Sequence, residues 1–356
     1  MKAMKDNRRL FLDVHAIQTV PPSNVNRDDT GSPKTAQYGG VTRARVSSQS
    51  WKKAIRQYFL EHGGVSNVGI RSLEIVRYVA EKIVSIDESI DREEAMNLAE
   101  KVINSAGVST TKDQKARALF FMSSQQAYKL AQAAIAGETT KAELQLLLKN
   151  DPAIDIALFG RMVADDPKLN EDASCQVAHA ISTHGVQTEF DFFTATDDFS
   201  SATDAGAGML GTVEYNSSTL YRYANVAVHE FCGQIGDKSS AVNALKLFVE
   251  AFAKSMPTGK INTFANQTLP QALLICLRED RPVSLVSAFE GPIRSSKGYV
   301  EQSIRQLENE YESVKQWVDE PLFSFSLGID GFDGNQVNFS QLLEQLEETL
   351  NSLLDT

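Results

Sequence analysis

Three cysteines and two tryptophans in 356 residues leave little in this chain to staple or to ligate. Cys175, Cys232 and Cys276 are odd in number and far apart, which argues against a disulfide frame or a paired-cysteine zinc site and reads as reduced, buried thiols. No window approaches the roughly 18 uninterrupted apolar residues that span a bilayer, so no membrane partner is expected. The stretch Met1 to Leu10 is polar and basic with no apolar segment behind it, which speaks against a secretory signal and for a cytoplasmic protein. GxSxG, a Walker loop and GxGxxG at a strand–helix turn are all missing, and the glycines from Gly206 to Gly211 lack the Lys-Ser/Thr of a nucleotide loop. His179 and His184 stand about 140° apart on a helix and lack the Glu of a zinc HExxH motif. The chain is therefore expected to hold no metal and no cofactor, and to be no enzyme.

What is present is an ordinary globular composition, 42% hydrophobic and 23% charged, which excludes wholesale disorder. The net charge of −11 argues at first against nucleic acid, but its distribution is uneven. Residues 1–60 carry eleven Lys/Arg against four Asp, a balance of +7; residues 301–356 carry two against twelve, a balance of −10. A cationic working surface with an acidic flank fits that asymmetry; a plain solvated acidic helix face fits the second half equally.

Strand signals open the chain at Leu10–Ile17, where Leu12, Val14 and Ala16 alternate with Asp13 and His15. A turn-rich loop from Pro21 to Gly40 follows, then a short strand at Val41–Val46 and a helix from Ser47-Ser48 to about Leu60. From about 70 to 185 the spacing is helical, with capping boxes expected at Asp91/Glu94 and Thr140/Glu143. Phe190 to Tyr221 reads as a protruding hairpin. Leu220–Val228 is the strongest strand, and strands at Ala272–Leu277 and Phe323–Leu327 alternate with later helices. The ends are α+β and the middle is helical.

The segment Gly39 to Lys53 is the most informative. In a strand, Arg43 and Arg45 share one face about 6.6 Å apart, and two adjacent guanidiniums suit phosphate. The helix that follows offers free N–H groups and a positive dipole end. Lys52, Lys53 and Arg56 occupy one arc beside an apolar arc of Trp51, Ile55, Tyr58 and Phe59. The plainer account is an amphipathic helix with a good cap. Asp28 and Asp29 are a metal-binding pair or, as turn aspartates commonly do, cap backbone N–H groups. Arg161 and Met162 are read as presented by a loop, Lys260 as supplied to a ligand, and Met209 and Leu210 as apolar residues at the hairpin.

Five stretches then carry a resemblance: Asn26-Arg27-Asp28-Asp29; Tyr38-Gly39-Gly40 with Arg43, Arg45 and Ser47-Ser48-Gln49; Ile154 to Met162; Ala178 to His184; and Tyr221 to Asn225. In this order they resemble the CasC family, the guide-RNA-binding backbone subunit of the type I-E CRISPR complex Cascade. The resemblance is carried by residues 10 to 230. It implies a modified RNA-recognition-motif (ferredoxin-like) palm from residues 1–60 and 222–356, a helical insertion at 61–189 and a β-hairpin thumb at 190–221. It implies as partners the CRISPR guide RNA, a target DNA strand paired to it, copies of the chain itself and other Cascade subunits. On this reading the RNA-binding residues are Arg27, Arg43, Arg45, Ser47, Ser48, Gln49, Lys52, Lys53, Arg161, Met162, Met209, Leu210 and Lys260. Related backbone subunits that cleave RNA with a loop aspartate supply the alternative, with Asp28 and Asp29 in that part.

Overall fold

Strand β1 (Phe11–Ser23) is the spine of the molecule, which a computed structural model describes over residues 9–62, 68–195, 209–329 and 338–355. After it come β2 (Thr35–Tyr38), β3 (Val41–Val46) and α1 (Ser48–His62). An insertion holds β4 (Ile70–Ser72), α2 (Ile75–Ile86), α3 (Arg92–Ser105), β5 (Phe120–Met122), α4 (Ser124–Ile135), α5 (Lys141–Lys149) and α6 (Ile154–Phe159). The chain returns through β6 (Cys175–Val177), β7 (Ala180–Ser182), β8 (Glu189–Ala195) and β9 (Met209–Ala227). Then follow α7 (Val228–Ile235), α8 (Lys238–Lys254), α9 (Ile261–Phe264), β10 (Ala272–Arg278), α10 (Val300–Val314), β11 (Phe323–Leu327) and α11 (Phe339–Asp355).

The sheet runs β11-β10-β1-β9-β7-β3-β2, with β6 and β8 also on β9, and its pairs are antiparallel. Taking β1, α1, β6/β7, β9, α8 and β10 in turn gives β-α-β-β-α-β, ordered fourth, first, third, second across the sheet. That is the arrangement of an RNA-recognition motif, and the fold class is α+β as expected. Alternation along β1 explains the layers. Leu12, Val14 and Ala16 face α1, α8 and α11, where Ile55, Phe59, Phe248, Phe252, Leu342 and Leu346 complete the main core.

Asp13, His15 and Ile17 face the other side, and that side is also covered. Leu285, Phe289, Leu307 and Tyr311 close over Ile17, Tyr221, Tyr223 and Leu274. Asp13 accepts from Tyr223 Oη (2.8 Å) and from the Val283 amide (3.0 Å), and burial pushes its carboxyl up to about 7. The Tyr221 hydroxyl accepts from the Leu285 amide and lies 2.9 Å from His15 Nδ1. Burial holds that imidazole neutral, its pKa pulled down to about 3, so the hydroxyl donates to it.

The insertion has its own core of Ile75, Val79, Ile83, Ala95, Val102, Leu130 and Leu144. Asp91 caps α3 by accepting from the Glu94 amide (2.8 Å). Thr140 makes no side-chain cap bond, and Glu138 accepts from the Thr139 and Thr140 amides. The reciprocal box is at Ser123/Gln126. Two boundaries shift from the sequence reading. Residues 175–182, counted with the insertion, pair with β9 in the sheet, and β9 runs unbroken from the hairpin into the palm. Among the described residues no helix is long and apolar enough to cross a membrane.

Candidate nucleic-acid interface

β3 leads directly into α1, and the turn between them is fixed by side chains. The Ser47 amide donates to Asn26 Oδ1 (2.8 Å), and Ser47 Oγ accepts from the Ser50 amide (3.3 Å). Ser47 is therefore a buried cap, while Gln49 is exposed and Ser48 half-exposed beside it. The first-turn amides that a helix leaves without internal partners lie at this turn, the Ser50 amide being taken by Ser47. Trp51, Ala54, Ile55, Tyr58 and Phe59 are buried, as their arc requires, which turns Lys53 to solvent and leaves Lys52 half-exposed.

Two clefts flank this helix. One, of 1260 Å³, is walled by the loop from Val25 to Gly31, by α1 and by the stretch Lys254 to Lys260, and it brings Arg27, Lys53, Lys254 and Lys260 together. The other, of 760 Å³, lies between α1 and the insertion and collects Gln49, Lys52, Lys53, Arg56, Arg71 and Met162. Lys53 lines both. Cations from four distant parts of the sequence thus form one track around the start of α1. Lys260 reaches it from a left-handed backbone, φ 51°, a strained conformation for a residue with a Cβ.

Two expected contacts are corrected. Arg43 does share a face with Arg45, but the segment around Phe289 covers it. Its Nε donates to Tyr38 O (3.1 Å), Nη1 to Ser182 O (2.9 Å) and Nη2 to Phe289 O (2.8 Å), and the side chain is fully buried. Arg161 is likewise interior, donating to Leu169 O (3.0 Å), Phe121 O (3.1 Å) and Leu148 O (2.8 Å), with burial drawing it down to about 10. Both tie loops together with guanidinium donors spent on interior carbonyls, although Arg161 borders the smaller cleft.

Arg45 stays half-exposed, its Nη1 3.1 Å from His179 Nδ1. Burial, then the charges of Arg45 and Lys34, keep that imidazole below its ordinary value, so it accepts. Met162 is 85% exposed and Leu210 63%. Met209 opens β9, and its side chain lies outside the described residues, as do residues 196–208 of the hairpin.

The hairpin carries residues that the sequence reading did not single out. Phe190 and Phe192 are 67% and 65% exposed, opposite Glu214 and Thr212, and share a ribbon face with Leu210. Their two-residue spacing was the available signal. On the other face Phe193 lies across Gly211, where any Cβ would overlap its ring.

Asp28 Oδ1 accepts from the Thr30 amide (2.9 Å), Thr30 Oγ1 (2.8 Å) and the Ser32 amide (3.0 Å). These bonds, the Thr30 hydroxyl's foremost, hold its carboxyl below the ordinary value, the behaviour of a turn cap. His184 is also structural: Nε2 accepts from the Thr219 amide (3.1 Å), and the ring stacks on Tyr299 at 3.6 Å. Among the described residues no three His, Cys, Asp or Glu converge as a metal site.

With the geometry in place, the profile of a family described as "CT1975-like protein" matches residues 12–356. The chain belongs to that family. The CT1975-like chain is also similar to a solved structure titled "CRISPR RNA-guided surveillance complex, pre-nicking", with 31% identity and a TM-score of 0.82 over 96% of this chain and 100% of that one. A second, titled "CRISPR RNA-guided surveillance complex", is 27% identical with a TM-score of 0.73, covering 95% and 99%. No curated protein matches. The likeness read from five motifs therefore extends past residue 230, where those motifs end.

Proposed function

We propose that this CT1975-like chain is a non-catalytic subunit of a Cascade-type complex that grips a CRISPR guide RNA by its phosphates and lines up with copies of itself along the strand. Target DNA then meets the subunit through pairing to the guide, and other Cascade subunits close the assembly. The observation that carries this reading is the cationic track, in which Arg27, Lys52, Lys53 and Lys260 converge on the open end of α1. Phosphates are held there by charge and amide donors without regard to base identity, as a guide of varying sequence demands. The covered sheet supports the same conclusion. An open RNA-recognition motif stacks bases on aromatic residues of its sheet, whereas Tyr221 and Tyr223 are buried here under the Leu285–Tyr311 layer. Apolar contact with bases falls instead to Phe190, Phe192 and Leu210 on the ribbon and to Met162.

Replacing Lys52 and Lys53 together by Ala tests the reading. Guide RNA should bind more weakly, and the slope of log K against log salt should flatten by about 0.7 for each phosphate that is no longer neutralised. An unchanged slope would remove α1 from the interface. Metal-dependent cleavage of target RNA is the competing reading, because Asp28 and Asp29 line the larger cleft. Cutting of a matched RNA in magnesium by the assembled complex, abolished in Asp28→Ala or Asp29→Ala, would establish it.

A further inference from the structure

Among the described residues four arginines are buried, and Arg222 differs from the other three. Arg278 Nε lies 3.5 Å from Asp13 Oδ2. Arg43 feels the charge of Glu290, and Arg161 that of Glu171. Arg222, on β9 and 2% exposed, donates to Gln18 Oε1 and to Phe252 O, both neutral, and pairs with no carboxylate among the described residues. Its guanidinium is sandwiched between Trp51 and Phe252, 3.6 Å and 4.4 Å from the ring centroids, and its Nε has no hydrogen-bond partner. Burial alone draws its pKa down, to about 9, so it stays charged at neutral pH.

Trp51 belongs to the first turn of α1, so one indole ring separates this uncompensated cation from the start of the helix. A buried charge without a counter-ion acts through a medium that screens it poorly. Its field adds to the positive end of the helix dipole at the same spot. The lysines that flank that spot, Lys52 and Lys53, supply charge from outside.

We infer that Arg222 is an electrostatic positioning residue for the phosphate strand at the start of α1, acting from beneath the helix without touching the ligand. The inference rests on the RNA-binding reading above. The bound phosphate is the counter-ion that the interior omits. Arg222 thereby takes up, through the helix, part of the task that the sequence reading gave to Arg43 and Arg161.

The test uses the full chain and a labelled guide RNA. Arg222→Met keeps a long apolar side chain between the two rings and removes the charge. It should bind guide RNA about three- to ten-fold more weakly, with the slope of log K against log salt unchanged because the groups that touch the phosphates all remain. Arg222→Lys, which restores the charge without the planar fork, should return affinity toward that of the parent. A folded Arg222→Met protein with unaltered affinity would overturn the inference and make Arg222 a packing residue. If the methionine variant fails to fold, the lysine variant decides alone when set beside Arg222→Gln: equal affinities would overturn the inference, and tighter binding by lysine would uphold it. A parent protein that binds no guide RNA at all would sink the RNA-binding reading itself, a separate outcome.

Discussion

Two arginines two residues apart on β3 have opposite fates, and the difference is testable one side chain at a time. Arg43→Ala strips donors from Tyr38, Ser182 and Phe289 carbonyls in the interior and should cost about 3 kcal/mol in chemical denaturation. Arg45→Ala should stay within about 0.5 kcal/mol of the parent and weaken RNA binding. The sequence placed both on one face correctly, because strand alternation is local. It could not show that a segment some 240 residues later covers one of them, because that is a tertiary fact. The same blindness hid the fate of Asp13 and His15. Their alternation with apolar neighbours suggested a solvent face, and a second layer buries them. That burial gives opposed pH terms. The folded state raises Asp13 from 3.8 to about 7, so it binds the extra proton there and this term loses stability as pH rises from about 4 to 7. It lowers His15 from 6.5 to about 3, so the unfolded state binds the extra proton and this term gains stability as pH rises from about 3 to 6.5. Asp13→Asn removes the first term alone. Melting curves of that variant should therefore show stability climbing more steeply between pH 4 and 6.5 than in the parent; a parallel profile would mean that Asp13 titrates normally.

Several elements with a strong period were legible almost to the residue, while β1, read to Ile17, runs on to Ser23 through residues that the turn signals assign to a loop. The strand at Val41–Val46 and the one at Phe323–Leu327 fall where alternation put them, and α1 differs from its reading by a turn at most. The box at Thr140/Glu143 failed because Glu138, two residues earlier, accepts from the Thr140 amide, the donor that the Glu143 carboxylate would have taken. β6 and β7 escaped because three-residue strands carry no usable period; their pairing to β9, and that of β7 to β3, defines them. The hairpin shows how an element divides its labour between faces. Phe193 packs across Gly211 and stiffens one face of the ribbon, leaving Phe190 and Phe192 free on the other. Gly211→Val should consequently lower thermal stability or reset the hairpin register, because a side chain there overlaps the Phe193 ring. Phe190→Ala with Phe192→Ala should leave the melting temperature within a degree or two and still impair RNA-dependent assembly. A loss of fold in the double alanine variant would make those rings core residues.

At the scale of the whole molecule, the charge asymmetry and the topology describe one arrangement. The basic N-terminal part supplies β3 and α1, while the acidic C-terminal part supplies β11, at the opposite edge of the sheet from β2 and β3, together with the helices α10 and α11. On the proposed reading, a strand of phosphates is attracted to the local field of β3 and α1. In the proposed assembly, a long polyanion held this way would run past each subunit and leave room for the next copy on the same strand. A net charge of −11 is compatible with the proposed RNA binding, since the field that matters is local to the track and screened beyond about 10 Å at moderate salt. If that account is right, the number of subunits per RNA is set by the length of the strand and not by a closed ring. Native mass spectrometry of the chain co-assembled with guide RNAs of increasing length should then show masses rising by one subunit at regular increments of nucleotides. A fixed stoichiometry across those lengths would refute assembly along the strand while leaving the phosphate grip of a single subunit intact, because that grip is built within one chain.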